Sequence, residues 1–284
     1  MAGRCNISFK MILQSFKPLT FESEDINLNN LHDNDLKKIK DGINNYQLVL
    51  LKKQQITMSQ QISFTKELGK IEFVWEDKHP DSDYIQLLQN KLKKYKPFKS
   101  TSKHWHTDRS FINPSSKYTI LYAKQIEGNA GGTEFCNLHQ AYMKLSDEYK
   151  IKLSSLNTIH AFDYKFPELM KKKLFSEEKI SALKSKYPEV ARPLIKTNSV
   201  SGTKSIFLSE LCLKKIIELN EDESSNLLKY LYDFVLNPEY RYVQEWEEGD
   251  ILIWDNESLM HRALNTPLNI RREFHRTTTM VITN

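Results

Sequence analysis

His104-Trp105-His106-Thr107-Asp108-Arg109-Ser110-Phe111 is the stretch on which the reading of this chain turns. It sets a histidine and an aspartate two residues apart, among aromatic neighbours. On an extended strand residues i and i+2 point to one face, so an imidazole nitrogen of His106 and a carboxylate oxygen of Asp108 can meet one metal ion. His104 competes with His106 for that place. A third donor is needed, and the best candidate is His261, just beyond the run Gly249-Asp250-Ile251-Leu252-Ile253-Trp254-Asp255-Asn256. Two histidines and one carboxylate on one face of a metal, with the other positions open, favour non-haem Fe(II) and oxygen chemistry. A lone His-x-Asp is common in ordinary hydrogen bonding, so further weight has to come from elsewhere in the chain. Arg271-Arg272-Glu273-Phe274-His275-Arg276 supplies it. As a strand, this segment points Arg272 and Arg276 the same way, and a guanidinium fork can hold two carboxylate oxygens at once.

Trp105-His106-Thr107-Asp108, Gly131-Gly132-Thr133-Glu134-Phe135, Trp254-Asp255-Asn256 through His261, and the pair Arg272 and Arg276 follow one another in this order. Together, over roughly Tyr46 to Met280, they resemble the taurine dioxygenase family of Fe(II)- and 2-oxoglutarate-dependent oxygenases. The resemblance implies an α+β fold: a double-stranded β-helix, or jelly roll, with inserted and flanking helices and a central pocket. Periodicity alone yields only mixed α and β. The resemblance also implies that His106, Asp108 and His261 hold Fe(II). The co-substrate 2-oxoglutarate and O2 then take the open positions, with Thr133 and Arg272 on the distal carboxylate of 2-oxoglutarate. A C–H bond of a small anionic substrate (carboxylate, sulfonate or amino acid) is oxidised, and succinate and CO2 are released. Asp108 argues against the related halogenases, which lack that carboxylate.

Arg276 is expected to approach the substrate's anionic group or to help hold the co-substrate. Phe162 and Phe207 are candidate apolar walls of the substrate pocket, with ordinary core packing as the competing role. Glu72 either meets an amine on the substrate or is exposed. The resemblance implies that a taurine-binding member carries a histidine-rich segment after the early glycine turn; Gly69 to Trp75 has no histidine, which speaks against taurine itself. A zinc hydrolase could use the same three ligands, but it gives Arg272 and Thr133 no role. A non-catalytic binding protein on the same fold has no need of all three ligands.

The chain of 284 residues is long enough to bury a sizeable core as one domain, 1–284. The net charge of +5 comes with lysines spread along the chain, which gives no argument for nucleic acid but suits an acidic small-molecule partner. Three cysteines, Cys5, Cys136 and Cys212, form neither a disulfide framework nor a zinc motif, so a reducing cytoplasm is expected. No apolar run is long enough for a membrane span, and Met1 to Lys10 lacks the apolar core of a signal peptide. Met11 is an alternative start, and a homo-oligomer is left open.

Locally, Phe16 to Phe21 reads as a first strand broken at Pro18. Asp33 to Asn44 reads as an amphipathic helix on Leu36, Ile39 and Ile43, and Gln47 to Leu51 as a buried strand. Thr57 and Gln60 form a capping box for a helix that ends at Leu68 and Gly69. Residues 70–102, with the basic cluster Lys91 to Lys96, read as a long loop, either solvated and mobile or an electropositive lid; the family resemblance implies the lid. Tyr118 to Lys124 is a strand. Gly131-Gly132 is a turn but no phosphate loop, since the required lysine is missing. Asn137 and Ser146 cap two successive helices. Residues 161–193, with Lys171 to Lys173, read as a polar helical insertion, and Ser199 to Lys204 as a turn between strands. Asn220 and the acidic run after it open a helix that buries Leu227, Leu228, Leu231, Tyr232 and Val235. Gly249 to Trp254 and Phe274 to Ile282 are the last strong strands.

Overall fold

The computed structural model describes residues 20–74, 77–89, 103–128, 131–162, 164, 176–264 and 271–282. Residues 16–19, the cluster Lys91 to Lys96, Lys171 to Lys173, and the alternative starts Met1 and Met11 lie outside them.

The described residues open with strand β1 (Phe21–Ser23), helix α1 (Asp33–Tyr46), strand β2 (Leu48–Leu51) and helix α2 (Met58–Leu68). Helix α1 buries Ile39 and Ile43, with Leu36 partly covered. It stops where Gln47 enters the left-handed region at φ 63° and its N–H bonds back to the Ile43 carbonyl. Helix α2 starts with the expected reciprocal cap between Thr57 and Gln60. Strand β3 (Gln86–Gln89) follows, and it lies inside the segment expected to be a lid loop. It pairs antiparallel with β14 (Arg272–Met280), and Ile71 bridges Thr279. The first part of the supposed lid is therefore a sheet edge, held by backbone hydrogen bonds that a strand of four residues does not announce in sequence.

Next come β4 (Ser116–Ile126), β5 (Gly132–Asn137), α3 (Leu138–Lys144), α4 (Asp147–Ser154) and β6 (Asn157–His160). Asn137 and Ser146 cap α3 and α4 as expected. The region read as a helical insertion holds α5 (Glu177–Lys186) but ends in strand β7 (Val190–Pro193), which pairs with β6. Strands β8 (Ile195–Thr197) and β9 (Lys204–Ile206) flank the expected turn, and β10 (Leu213–Ile216) leads to α6 (Glu221–Val235), capped by Asn220 and Glu223. Strands β11 (Arg241–Glu245), β12 (Ile251–Asp255), β13 (Leu259–Ala263) and β14 complete the chain. Among the described residues, the first strand runs from Phe21 to Ser23.

Among the described residues, a six-stranded sheet in the order β1-β2-β12-β4-β14-β3 faces a three-stranded sheet in the order β11-β5-β13. Strand β12 is buried on both sides. Ile251 and Ile253 meet Ile39, Ile43 and Phe64 under the helices. Leu252 and Trp254 meet Phe135, Leu259, Trp246 and Phe274 between the sheets. Burying each such side chain contributes about 1.5–3 kcal/mol, which explains a near-continuous apolar run where a half-exposed strand would alternate. On the far side of the small sheet, Cys136 and Met260 join α3, α6 and β10 in a third layer. This is the jelly roll with flanking helices, and its inter-sheet space is where the chemistry-bearing residues converge.

Candidate active site

His106 and His261 are brought together by the backbone. The His106 N–H donates to the His261 carbonyl at 3.0 Å, and the His261 N–H donates back at 2.9 Å. An antiparallel pair that exchanges both bonds sets its side chains side by side. Asp108 completes the set: its Oδ1 lies 3.8 Å from His106 Nε2 and 3.7 Å from His261 Nε2. One ligand atom from each of the three lies within 4.8 Å of the others. The convergence is not produced by strand alternation. His106 forms a single bridge, the chain turns from Asp108 onward, and Arg109 sits in the left-handed region at φ 48°.

His104 does not take part. Its side chain is 39% exposed and lies 3.7 Å from Glu210. Its carbonyl instead faces His106 Nδ1 at 2.8 Å. A carbonyl only accepts, so Nδ1 carries the proton and Nε2 keeps its lone pair toward the cluster. Burial lowers the pKa of both ligand histidines, pushing His261 down to about 3 against the pull of Asp108. Both imidazoles are therefore neutral near pH 7, as metal ligation requires. Burial opposes the charge of Asp108, but Arg276, then the two histidines and the Thr119 hydroxyl, outweigh it and hold the carboxyl well below its usual range. Two neutral imidazoles and one ionised carboxylate fit a ferrous ion.

The residues that orient Asp108 went unseen in the sequence. Thr119 Oγ1 donates to Asp108 Oδ2 at 2.8 Å. Asn256 Nδ2 donates to Thr119 Oγ1 at 2.9 Å, and Asn256 Oδ1 accepts from the Asp108 N–H at 3.3 Å and from Trp254 Nε1 at 3.1 Å. Asn256 stands inside the quoted run Trp254-Asp255-Asn256, so its place was visible but its task was not. Arg276 Nη2 lies 2.6 Å from Asp108 Oδ2, and its Nη1 donates to Gln86 Oε1 at 3.1 Å. Arg272 lies further along β14, with its guanidinium 5.5 Å from the centre of the Phe274 ring. Phe274 packs edge-on against Trp246 at 4.9 Å, and Trp246 Nε1 donates to Thr133 Oγ1 at 3.0 Å. Nothing in the sequence signalled Trp246.

Glu72 is 9% exposed and forms an ion pair with Arg109, so the expectation of an exposed side chain is corrected. Burial raises its pKa, with Arg109 opposing. Phe162 and Phe207 are packed, at 3% and 1% exposed. Phe162 stacks edge-on with Phe111 at 5.2 Å, and Phe207 lies against His160 at 5.4 Å. Among the described residues, no helix is long and apolar enough to cross a membrane.

A jelly roll in which two histidines and an aspartate converge on one point has the donor set of a non-haem metal oxygenase. Comparison with known proteins agrees. Residues 15–278 match the model of the taurine catabolism dioxygenase TauD, TfdA family. The alpha-ketoglutarate-dependent 2,4-dichlorophenoxyacetate dioxygenase of Burkholderia sp. (strain RASC) is 27% identical over 268 residues, covering 87% of this chain and 86% of that protein. An alkylsulfatase of Acinetobacter baylyi (strain ATCC 33305 / BD413 / ADP1) is 29% identical over 171 residues, covering 57% and 51%. The crystal structure of AAD-2 in complex with Mn(II) and N-oxalylglycine superposes with a TM-score of 0.77 at 25% identity, covering 92% of this chain and 93% of that one. The chain belongs to the TauD/TfdA family and is an alpha-ketoglutarate-dependent dioxygenase.

Proposed function

We propose that this dioxygenase oxidises a C–H bond of a small anionic substrate, with Arg272 and Thr133 holding the distal carboxylate of 2-oxoglutarate and Arg276 receiving the acid group of the substrate. The observation that carries the reading is the His106–His261 backbone pair with Asp108 beside it. Bound Fe(II), with O2, supplies the oxidation: the C–H bond becomes C–OH while 2-oxoglutarate becomes succinate and CO2.

The chain's own part is positioning. Trp246 donates to the Thr133 oxygen, so the Thr133 hydroxyl proton is left for an acceptor such as a carboxylate. Burial lowers the pKa of Arg272, and a bound carboxylate offsets that cost to its charged form. The Asp108 Oδ2 is shared by Thr119 and Arg276, which leaves Oδ1 facing the imidazoles. With the charge of Asp108 claimed by a divalent ion, the guanidinium of Arg276 is available to a second anion. One relative acts, by its name, on the anion 2,4-dichlorophenoxyacetate, which supports an acidic substrate here.

The test is a panel of small carboxylates, sulfonates and amino acids, each with neutral analogues, given to Fe(II)-loaded protein with 2-oxoglutarate and read by succinate formation. Substrate-dependent succinate from acids is expected. Equal turnover of acids and neutral analogues would overturn the anionic reading.

A further inference from the structure

Around the metal ligands, four charged side chains alternate in sign as two ion pairs, Glu72 with Arg109 and Asp108 with Arg276. Two polar atoms in this set are buried with no hydrogen-bond partner among the described residues: Oε2 of Glu72 and Nε of Arg276. One is an anionic acceptor and the other a cationic donor. Both are set in place by β14. The Glu72 N–H donates to the Thr278 carbonyl at 2.8 Å and Ile71 bridges Thr279. Arg276 precedes Thr278 by two residues, on the same face of the strand. Glu72 is therefore held by backbone hydrogen bonds, and its side chain is nine-tenths buried. A buried charged group with an unmade hydrogen bond is costly, and native proteins leave few such atoms without a reason.

We infer that Glu72 Oε2 and Arg276 Nε are the two halves of a substrate subsite for an acid that also carries a hydrogen-bond donor, an amine or a hydroxyl. Arg276 takes the acid group and Glu72 takes the donor. This rests on the proposed role of Arg276 as the partner of the substrate anion, and it adds Glu72 as the residue that sets specificity. A simple acid satisfies Arg276 but leaves Glu72 Oε2 buried without a hydrogen-bond partner. A site built to pair a polar group discriminates strongly against the analogue that lacks it.

The test uses two matched pairs of probes, phenylalanine with 3-phenylpropanoate and 4-aminobutanoate with butanoate. They are titrated calorimetrically into the full chain loaded with Mn(II) and 2-oxoglutarate, so that binding is read without turnover. In at least one pair the amino member is expected to bind about tenfold tighter or more. Glu72→Gln is expected to remove most of that preference. Glu72→Leu should reverse it, with thermal unfolding checking that each variant is folded. Equal binding within both pairs, no binding of any probe, or a preference unchanged in both variants overturns the subsite. Succinate formation in the Fe(II)-loaded protein separates this from the reading it rests on. Succinate from simple acids without an amino preference sinks Glu72 alone. An amino preference in binding with no succinate from any acid leaves the subsite and sinks the substrate reading.

Discussion

At the β12–β13 turn, Lys117, Lys196, Asp255 and Glu257 form a buried charge cluster in which each charge meets its opposite. Around Asp108, Glu72, Arg109 and Arg276 form a second one that is incomplete. In the first, Lys117 Nζ lies 3.0 Å from Asp255 Oδ2, 2.8 Å from Glu257 Oε2 and 2.8 Å from Asn198 Oδ1, and Lys196 lies 3.2 Å from Glu257 Oε1. The Ser199 N–H and hydroxyl also donate to Glu257. In the second, Glu72 Oε2, Arg276 Nε and His261 Nδ1 are buried without partners among the described residues. A saturated polar network fixes one backbone arrangement, here the crossover that carries Asn256 and delivers His261. A network with unmade bonds is ready to take something else in. Buried carboxylates paired with cations thus build a scaffold in one place and a receptor in the other, and the difference lies in which bonds are left unmade.

The contrast can be broken most directly at Lys117. Lys117→Met leaves Asp255 and part of Glu257 uncompensated in a dry environment, and loss of one partner of a buried pair costs about 3–5 kcal/mol. Urea denaturation should register that loss, and a change below about 1 kcal/mol would mean that the saturated cluster is not structural. Arg272→Ala should act on the other side of the contrast. The apparent KM for 2-oxoglutarate should rise by an amount equivalent to roughly 2–5 kcal/mol, whatever the prime substrate, with far less effect on denaturation. An unchanged dependence on 2-oxoglutarate would reject the assignment of Arg272.

Asn256 joins the two regions, since it sits in the scaffolded turn and bonds toward Asp108. Asn256→Ala should weaken Co(II) binding about 10–100-fold, as is usual when a partner of a ligating residue is lost. An unaltered Co(II) spectrum and affinity would show that Asp108 needs no such support.

The smallest effect concerns His160, which is buried between Ser110 and Thr158 at 3.0 and 3.2 Å. Burial pushes it down to about 3 from 6.5. Its folded-state pKa is below the unfolded value, so its contribution to stability is complete above about 6.5 and shrinks as the pH falls toward 3. Between pH 7 and pH 5.5 the metal-free protein should lose about 1 kcal/mol from this residue. His160→Gln should flatten that part of the urea-denaturation profile, and an identical slope would exclude His160 as a cause.

Much of the site was legible because ligand chemistry restricts residue types. A histidine, an aspartate two positions on and a distant histidine beside an apolar strand have few alternative uses together. The helix caps at Thr57, Asn137, Ser146 and Asn220 were legible because a cap is a local hydrogen bond. Thr119, Asn256 and Trp246 were not. Each is a single polar side chain in a network that reaches far along the chain, 137 residues between Thr119 and Asn256, 148 between Asp108 and Asn256 and 113 between Thr133 and Trp246, and no periodicity marks such a pairing. Strand β3 was missed for a related reason: it is held by β14, and its own four residues carry no alternation. Glu72 was left open in sequence because a carboxylate after a glycine turn is usually exposed, and only the fold places Arg109 against it.

The order of the large sheet has a consequence for how the protein is made. Strands β2 and β4 are not neighbours; β12 lies between them. A chain emerging from the ribosome therefore carries two apolar strands whose shared partner has not yet been synthesised, and β13, with the last metal ligand, comes later still. Folding dominated by such distant pairings is slow and exposes unpaired strand edges. The three-ligand set His106, Asp108 and His261 is incomplete until β13 has been made. Until β12 is made, β2 and β4 each keep an unpaired edge, the kind of surface that pairs with other chains.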